Sequence, residues 1–168
     1  MIHKCTACNL NECAYQQVKT AGNCAPEECE LLIVGDYPRQ DDDITGYPFS
    51  GDQFRFLWDL LGQIGVKYQV TYLVKCIPID KYSRRYRKPE NYEYDTCIKN
   101  RFYQDLETLK PKCILALGQA PLDVLVGDKC SVGDYRERAH IINIGNYSTK
   151  ILATYHPSYV INSDNDMF

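Results

Sequence analysis

Apolar residues in this chain gather into four short runs that predict buried strands. The runs cover residues 30–38, 69–76, 111–119 and 150–160, and each contains a Gly, Cys or Pro near its end. Short apolar runs of this kind are typical of strands buried on both faces of a parallel sheet. A further apolar run at 140–145 predicts an additional strand inside a loop.

Residues between these runs show helical spacing. Residues 52–66 have apolar side chains three and four positions apart and reach a glycine, Gly65, near their end. Helices are also expected at about 96–109 and at 120–127. Alternating strands and helices predict an α/β fold, with three α/β/α layers and a largely parallel four-stranded central sheet. Ligands bind beyond the carboxyl ends of such strands, where GDYP, TYLVKC and YHPS stand.

Length and charge narrow the class of protein. The chain has 168 residues, of which 45% are hydrophobic, and this suits one domain spanning 1–168 with a cysteine-bearing N-terminal segment. A net charge of −3 argues against non-specific coating of nucleic acid but allows a local basic track. With no long apolar run and no apolar signal core, we expect no membrane span. We expect an intracellular, cytoplasmic protein, or a viral protein in host cytoplasm, that is not secreted.

Nine cysteines suggest metal ligation more than disulfides, since their number is odd and no signal peptide is visible. Cys5 and Cys8 form a C-x-x-C pair, while Cys76 and Cys97 lie far along the chain. This set is compatible with zinc or with an iron–sulfur cluster, and the lack of a second close pair favours the cluster. Buried free thiols are the alternative. Cys13 and Cys24 are rival ligands, and Cys113 is predicted to lie in the core.

Three strand ends or nearby loops carry candidate chemistry. Asp36 in GDYP can orient a water or stabilise a developing cation, or else it caps a turn. Phe49 in GYPFSG can present its face to a flat ligand or anchor its loop. His156 in YHPS can donate a hydrogen bond to a leaving-group oxygen or lie half-buried in a turn. A basic segment can follow a phosphate backbone or remain solvated, and it contains Lys81, Arg84, Arg85, Arg87 and Lys88.

Together these pieces resemble the uracil-DNA glycosylase superfamily, specifically its iron–sulfur family 4. The resemblance runs in order through CTACNL, LLIVGDYP, TGYPFSGDQFRFLWDLLGQIGV, TYLVKC, RKPENYEYDTC, LKPKCILALGQAPLDVLVG and ILATYHPSYV. It implies a uracil-DNA glycosylase-like fold and a [4Fe–4S] cluster with a structural role. The cluster ligands would be Cys5, Cys8, Cys76 and Cys97.

The resemblance also implies roles for individual residues. Asp36 and His156 would be catalytic, and Phe49 would stack on the flipped base. Gly35, Tyr37 and Tyr72 would complete the base site, with Tyr72 standing where the family has an Asn that reads the uracil edge. The expected DNA contacts are Ser158, Tyr159, Arg84, Arg85 and Arg87.

The chain departs from the family pattern at the base site. The family's Glu is Asp36 here, Tyr37 and Arg39 replace small residues, and the Tyr72 phenol cannot offer the paired donor and acceptor of an amide. Two functions therefore stay open. One is a monofunctional glycosylase that hydrolyses the bond to uracil or a modified pyrimidine in DNA and leaves an abasic site. The other is a weak or inactive homologue serving as a DNA-binding or polymerase-accessory module. We expect a monomer that binds a flipped pyrimidine in DNA, with room for a replication or repair protein partner.

Overall fold

A six-stranded sheet forms the centre of the computed structural model, which describes residues 5–127, 130–157 and 159. The strands occur along the sheet in the order β1-β3-β2-β4-β6-β5. Their bounds are β1 Ala21–Gly22, β2 Leu31–Gly35, β3 Tyr68–Tyr72, β4 Cys113–Leu117, β5 His140–Ile144 and β6 Tyr147–Thr154.

The four central strands are parallel, as the four apolar runs predicted. β2 pairs with β3 and with β4, and β4 pairs with β6, all in parallel. The two edge strands are antiparallel: β1 pairs with β3, and β5 with β6. The sheet is therefore wider than the predicted four strands, because the run at 140–145 joins it and the two-residue β1 is too short to show a pattern.

Helices cover both faces of the sheet. Their bounds are α1 Leu10–Cys13, α2 Gln40–Thr45, α3 Arg55–Ile64, α4 Asn91–Cys97, α5 Tyr103–Leu109, α6 Gln119–Val126 and α7 Val132–Arg136. A π-helical segment, Ile98–Phe102, joins α4 to α5. The helical stretch from α4 to α5 begins at Asn91, earlier than the predicted start at residue 96. The reason is that the Glu93 carboxylate accepts a hydrogen bond from the Glu90 amide at 2.7 Å and starts a helical turn inside the polar loop.

Alternation along β2 divides the core into two layers, which confirms the α/β/α prediction. Leu32 and Val34 pack with Phe102 and Leu106 on one side of the sheet. Ile33 packs in a second cluster, with Phe54, on the opposite side. A third cluster, around Leu10, Val74 and Ile77, joins the N-terminal segment to the chain after β3. Within the described ranges, no helix has both the length and the apolarity needed to cross a bilayer.

Candidate active site and cysteine cluster

Asp36 and His156 line the same cavity, which has a volume of about 420 Å³. Asp36 directly follows β2, Gly118 directly follows β4, and His156 comes two residues after β6. These strands are parallel neighbours, so their carboxyl ends meet at one edge of the sheet. Gly118 turns the chain there with a φ of 92°. The fold thus brings the two predicted catalytic residues together, although their roles stay predictions.

The Asp36 carboxyl is oriented by a tyrosine that the sequence reasoning missed. The Tyr94 hydroxyl donates to Asp36 Oδ1 at 2.6 Å, and the Val74 amide donates to the Asp36 carbonyl at 3.1 Å. Burial raises the pKa of Asp36, while the Tyr94 hydrogen bond and the Lys88 charge oppose that rise. Tyr94 lies in YEYD of the predicted loop, and no pattern there indicated that it would reach the strand end.

The His156 imidazole is neutral at physiological pH. Burial, with the Arg39 charge adding to it, lowers the pKa of His156 to about 4. The Phe54 ring packs edge-on against the imidazole, with ring centroids 5.5 Å apart and planes at 84°. A neutral imidazole has one N–H donor and one acceptor nitrogen. This side chain can therefore donate a hydrogen bond to a developing oxyanion without itself carrying charge.

A basic groove opens from the same cavity. Tyr37, Arg39 and Lys88 line both the 420 Å³ cavity and an adjoining groove of about 710 Å³, which continues past Tyr86. Arg39 and Lys88 are exposed. The sequence indicated Arg39 only as a replacement for a small residue, and it indicated Lys88 only as one member of the basic segment. Cations at the mouth of a cavity can hold phosphates beside it.

The basic loop forms an ordered turn. Ile79 bridges to Tyr86, and the Asp80 amide donates to the Arg85 carbonyl at 2.9 Å. Arg84 and Arg85 are exposed on this turn. Arg87 is different, because its guanidinium binds both carboxylate oxygens of the fully buried Glu93 at 2.6 Å. Its main contact is therefore internal.

Phe49 and Tyr72 lie in the core, away from the surface of the cavity. Phe49 is 0% exposed and Tyr72 is 2% exposed. The Tyr72 hydroxyl donates to Asp42 Oδ2 at 2.9 Å and accepts the Phe49 amide at 3.2 Å. A Cβ atom on Gly35 would lie 2.7 Å from both rings, so only glycine fits there. This placement differs from the base contact that the resemblance implies for the two rings.

Tyr159, one of the expected DNA contacts, is the last described residue of the chain. Tyr159 is 62% exposed, and its ring lies 5.3 Å from that of Tyr155. The Arg136 guanidinium stands 5.3 Å over the Tyr155 ring, which places a cation in the same surface stack. Ser158, the other predicted contact here, lies outside the described residues.

Four cysteines line one small cavity: Cys5, Cys8, Cys76 and Cys97. The Lys75 amide donates to Cys97 Sγ at 3.3 Å, and burial raises the pKa of the Cys8 and Cys97 thiols. The rival ligands Cys13 and Cys24 are not part of the cavity lining. Among the described side chains, no group of three or more His, Cys, Asp and Glu is placed to hold a metal ion. The fold gathers the predicted ligands, and the metal itself stays a prediction.

Comparison with known proteins defines the class to which this fold and site belong. Residues 21–168 match the family model of the uracil DNA glycosylase superfamily, so the chain belongs to that superfamily. Within it, the chain is similar to the type-4 uracil-DNA glycosylase of Thermotoga maritima, with 32% identity covering 99% of this chain and 83% of the relative. The type-4 enzymes of Saccharolobus solfataricus and Archaeoglobus fulgidus are 29% and 25% identical, covering 94% and 95% of this chain and 72% and 79% of those relatives.

Proposed function

We propose that this protein is a DNA glycosylase that hydrolyses the N-glycosidic bond of uracil or a modified pyrimidine and leaves an abasic site. The observation that carries this proposal is the shared cavity of Asp36 and His156 at the strand ends of a uracil-DNA glycosylase fold. Similarity to proteins named uracil-DNA glycosylases favours an enzyme over an inactive accessory module.

The geometry supports a dissociative hydrolysis. A base leaves the DNA stack before its glycosidic bond can be reached. When that bond breaks, its electron pair goes to the base nitrogen and positive charge develops on the sugar. The Asp36 carboxylate stabilises this cation and takes a proton from water as the hydroxide oxygen bonds to the sugar carbon. The neutral His156 donates a hydrogen bond to the base carbonyl, where negative charge accumulates.

The surface around the cavity supports DNA binding. Arg39 and Lys88 would hold the phosphates that flank the flipped nucleotide, because they stand where the cavity opens into the groove. Arg84 and Arg85 would add charge from the exposed turn, and Tyr159 would occupy the vacated position in the DNA. Arg87 would support the same turn from inside.

Cys5, Cys8, Cys76 and Cys97 would hold a [4Fe–4S] cluster. Their chemistry fits, since such clusters are bound by four cysteine thiolates and these four line one cavity. A single bound metal ion lies about 2.3 Å from each sulfur ligand. A cubane cluster is larger than a single ion, so its four sulfur ligands lie farther apart. The lack of a single-ion site among the described side chains therefore does not conflict with it. The cluster would supply a structural cross-link.

The function is tested by base release. Single- and double-stranded oligonucleotides that contain uracil, 5-hydroxymethyluracil, thymine or cytosine are incubated with the protein and treated with alkali. We expect cleavage at uracil and a loss of about 10²- to 10⁴-fold in Asp36→Asn. Asp59→Asn is the matched control, because Asp59 is exposed on α3 and does not line the cavity. No base release from any substrate by the wild-type protein overturns the proposal.

A further inference from the structure

Other aromatic rings pack against the Phe49 ring, which is 0% exposed. Phe54 packs on it at a centroid distance of 4.3 Å and an angle of 35°, and Tyr72 packs edge-on at 4.8 Å and 79°. The Trp58 indole N–H also fixes the Phe49 carbonyl at 3.0 Å. Stacking a base requires a free aromatic face. This packing leaves Phe49 none to offer.

Hydrogen bonds hold the Tyr72 ring in this closed position. Its hydroxyl donates to Asp42, and the second oxygen of that carboxylate accepts the Ser50 amide at 2.8 Å. The same hydroxyl accepts the Phe49 amide. Swinging the ring away to admit a base would break the hydrogen bonds of the buried phenol to Asp42 and to the Phe49 amide, which is unfavourable. The Tyr72 ring therefore stays packed beside Phe49 and does not open to admit a base.

Among the described residues that line the cavity of Asp36 and His156, Tyr37 is the one that carries a phenol ring. It directly follows Asp36, is half-buried, and lines both the cavity and the groove. A base entering from the groove would meet this ring before reaching Asp36 or His156. We propose that the flipped base binds against Tyr37 in the Asp36–His156 cavity, and that Phe49 and Tyr72 form a closed wall behind it. The inference rests on the proposed glycosylase function and specifies how its substrate is held.

This arrangement determines which pyrimidines are accepted. The amide expected to read the uracil edge is absent, and the phenol that replaces it is already bonded to Asp42 and Phe49. A site that hydrogen-bonds its substrate discriminates by about 10⁴- to 10⁵-fold against an analogue that lacks the bonded group. A site that selects its substrate by shape discriminates by only about 10- to 200-fold. The 420 Å³ volume lies within the roughly 300–1,000 Å³ of ligand sites, which suits a substituted base. Pyrimidines with a 5-substituent are therefore substrates alongside uracil.

The test compares two aromatic residues under the same conditions. Tyr37→Leu and Phe49→Leu are assayed for uracil release and for binding to an oligonucleotide containing 2′-fluoro-2′-deoxyuridine, which resists hydrolysis. Loss of one base–aromatic stack lowers affinity by about 5- to 150-fold, so Tyr37→Leu is expected to lose this amount. Tyr103→Leu is the control, because Tyr103 is an exposed tyrosine that lines a different cavity. Values are corrected for the folded fraction, since Phe49 is buried.

Two results would overturn the inference while leaving the proposed function intact. One is a loss in folded Phe49→Leu as large as that in Tyr37→Leu. The other is a preference for uracil over 5-hydroxymethyluracil beyond about 10⁴-fold. A wild-type protein that releases no base contradicts the proposed function instead, and the binding comparison then still tests the role of Tyr37.

Discussion

At the scale of single residues, the Tyr94–Asp36 hydrogen bond contributes to the pKa of the Asp36 carboxyl. The bond lowers the pKa of Asp36 against the stronger effect of burial. In Tyr94→Phe this lowering is removed, so the pKa of Asp36 rises further. Because the proposed catalysis needs the carboxylate, the acidic limb of the rate profile is expected to move to higher pH. Base release measured against pH checks this, with Tyr92→Phe as the control on the same helix. An unmoved limb in Tyr94→Phe contradicts the role.

Asp36 also lowers the stability of the folded protein at neutral pH. Its pKa is higher in the folded chain than in the unfolded one, so the folded state favours the protonated acid. Stability from this group is present at low pH and is lost as pH rises through the folded pKa. At neutral pH, Asp36→Asn is therefore expected to raise the melting temperature, or at least not to lower it, while abolishing most activity. Thermal unfolding at pH 7 measures this, and a clear drop in melting temperature would contradict it.

At the scale of elements, the Arg87–Glu93 pair connects the basic turn to α4. Glu93 is buried, and although burial favours its neutral form, the Arg87 guanidinium and the Glu90 amide hold its pKa below the usual value. Removing one partner of a buried ion pair costs about 3–5 kcal/mol, so we expect Arg87→Met to lower the free energy of unfolding by that order. Urea denaturation measures it.

Arg84 and Arg85, which are exposed on the same turn, provide the matched comparison for Arg87→Met. Arg84→Ala and Arg85→Ala are expected to change stability by no more than about 0.5 kcal/mol. They should instead weaken DNA binding and reduce the slope of log affinity against log salt by about 0.7–0.9 for each phosphate that is no longer bound. If Arg87→Met behaved like these two variants, the internal role of Arg87 would be wrong.

Short-range patterns accounted for the elements but not for the way they pack together. Leu32, Ile33 and Val34 predict a buried strand by their apolarity alone, and β2 confirms it. Tyr72 lies in a run of the same kind, TYLVKC, and its burial follows that pattern more closely than the role implied by the resemblance. Tyr94 could not be predicted as a neighbour of the site, because a packed helix brings it to Asp36 across a sequence separation of 58 residues.

At the scale of the whole molecule, the four-cysteine cavity joins segments that lie far apart in the sequence. Gln17 exchanges hydrogen bonds with the backbone of Cys5, and the Val18 amide donates to the Lys75 carbonyl at 2.8 Å. Cys76 follows Lys75 directly, and Cys97 ends α4. The N-terminal segment, the chain just after β3 and α4 thus converge at one cavity. Because Asp36 accepts a hydrogen bond from Tyr94 of α4, a loss of order at this cavity would affect the carboxyl that we predict to be catalytic.

Removal of the proposed cluster should therefore reduce both stability and activity. A metal centre bound only by the folded chain contributes its binding energy to folding. We expect about four iron atoms per chain in the intact protein, and loss of iron, a lower melting temperature and faster proteolysis of the N-terminal segment in Cys76→Ser. Cys24→Ser is the control, because its sulfur lies outside the cavity, near the Tyr68 carbonyl. Bound zinc in place of iron, or equal iron loss in Cys24→Ser, would refute the assignment of these four cysteines.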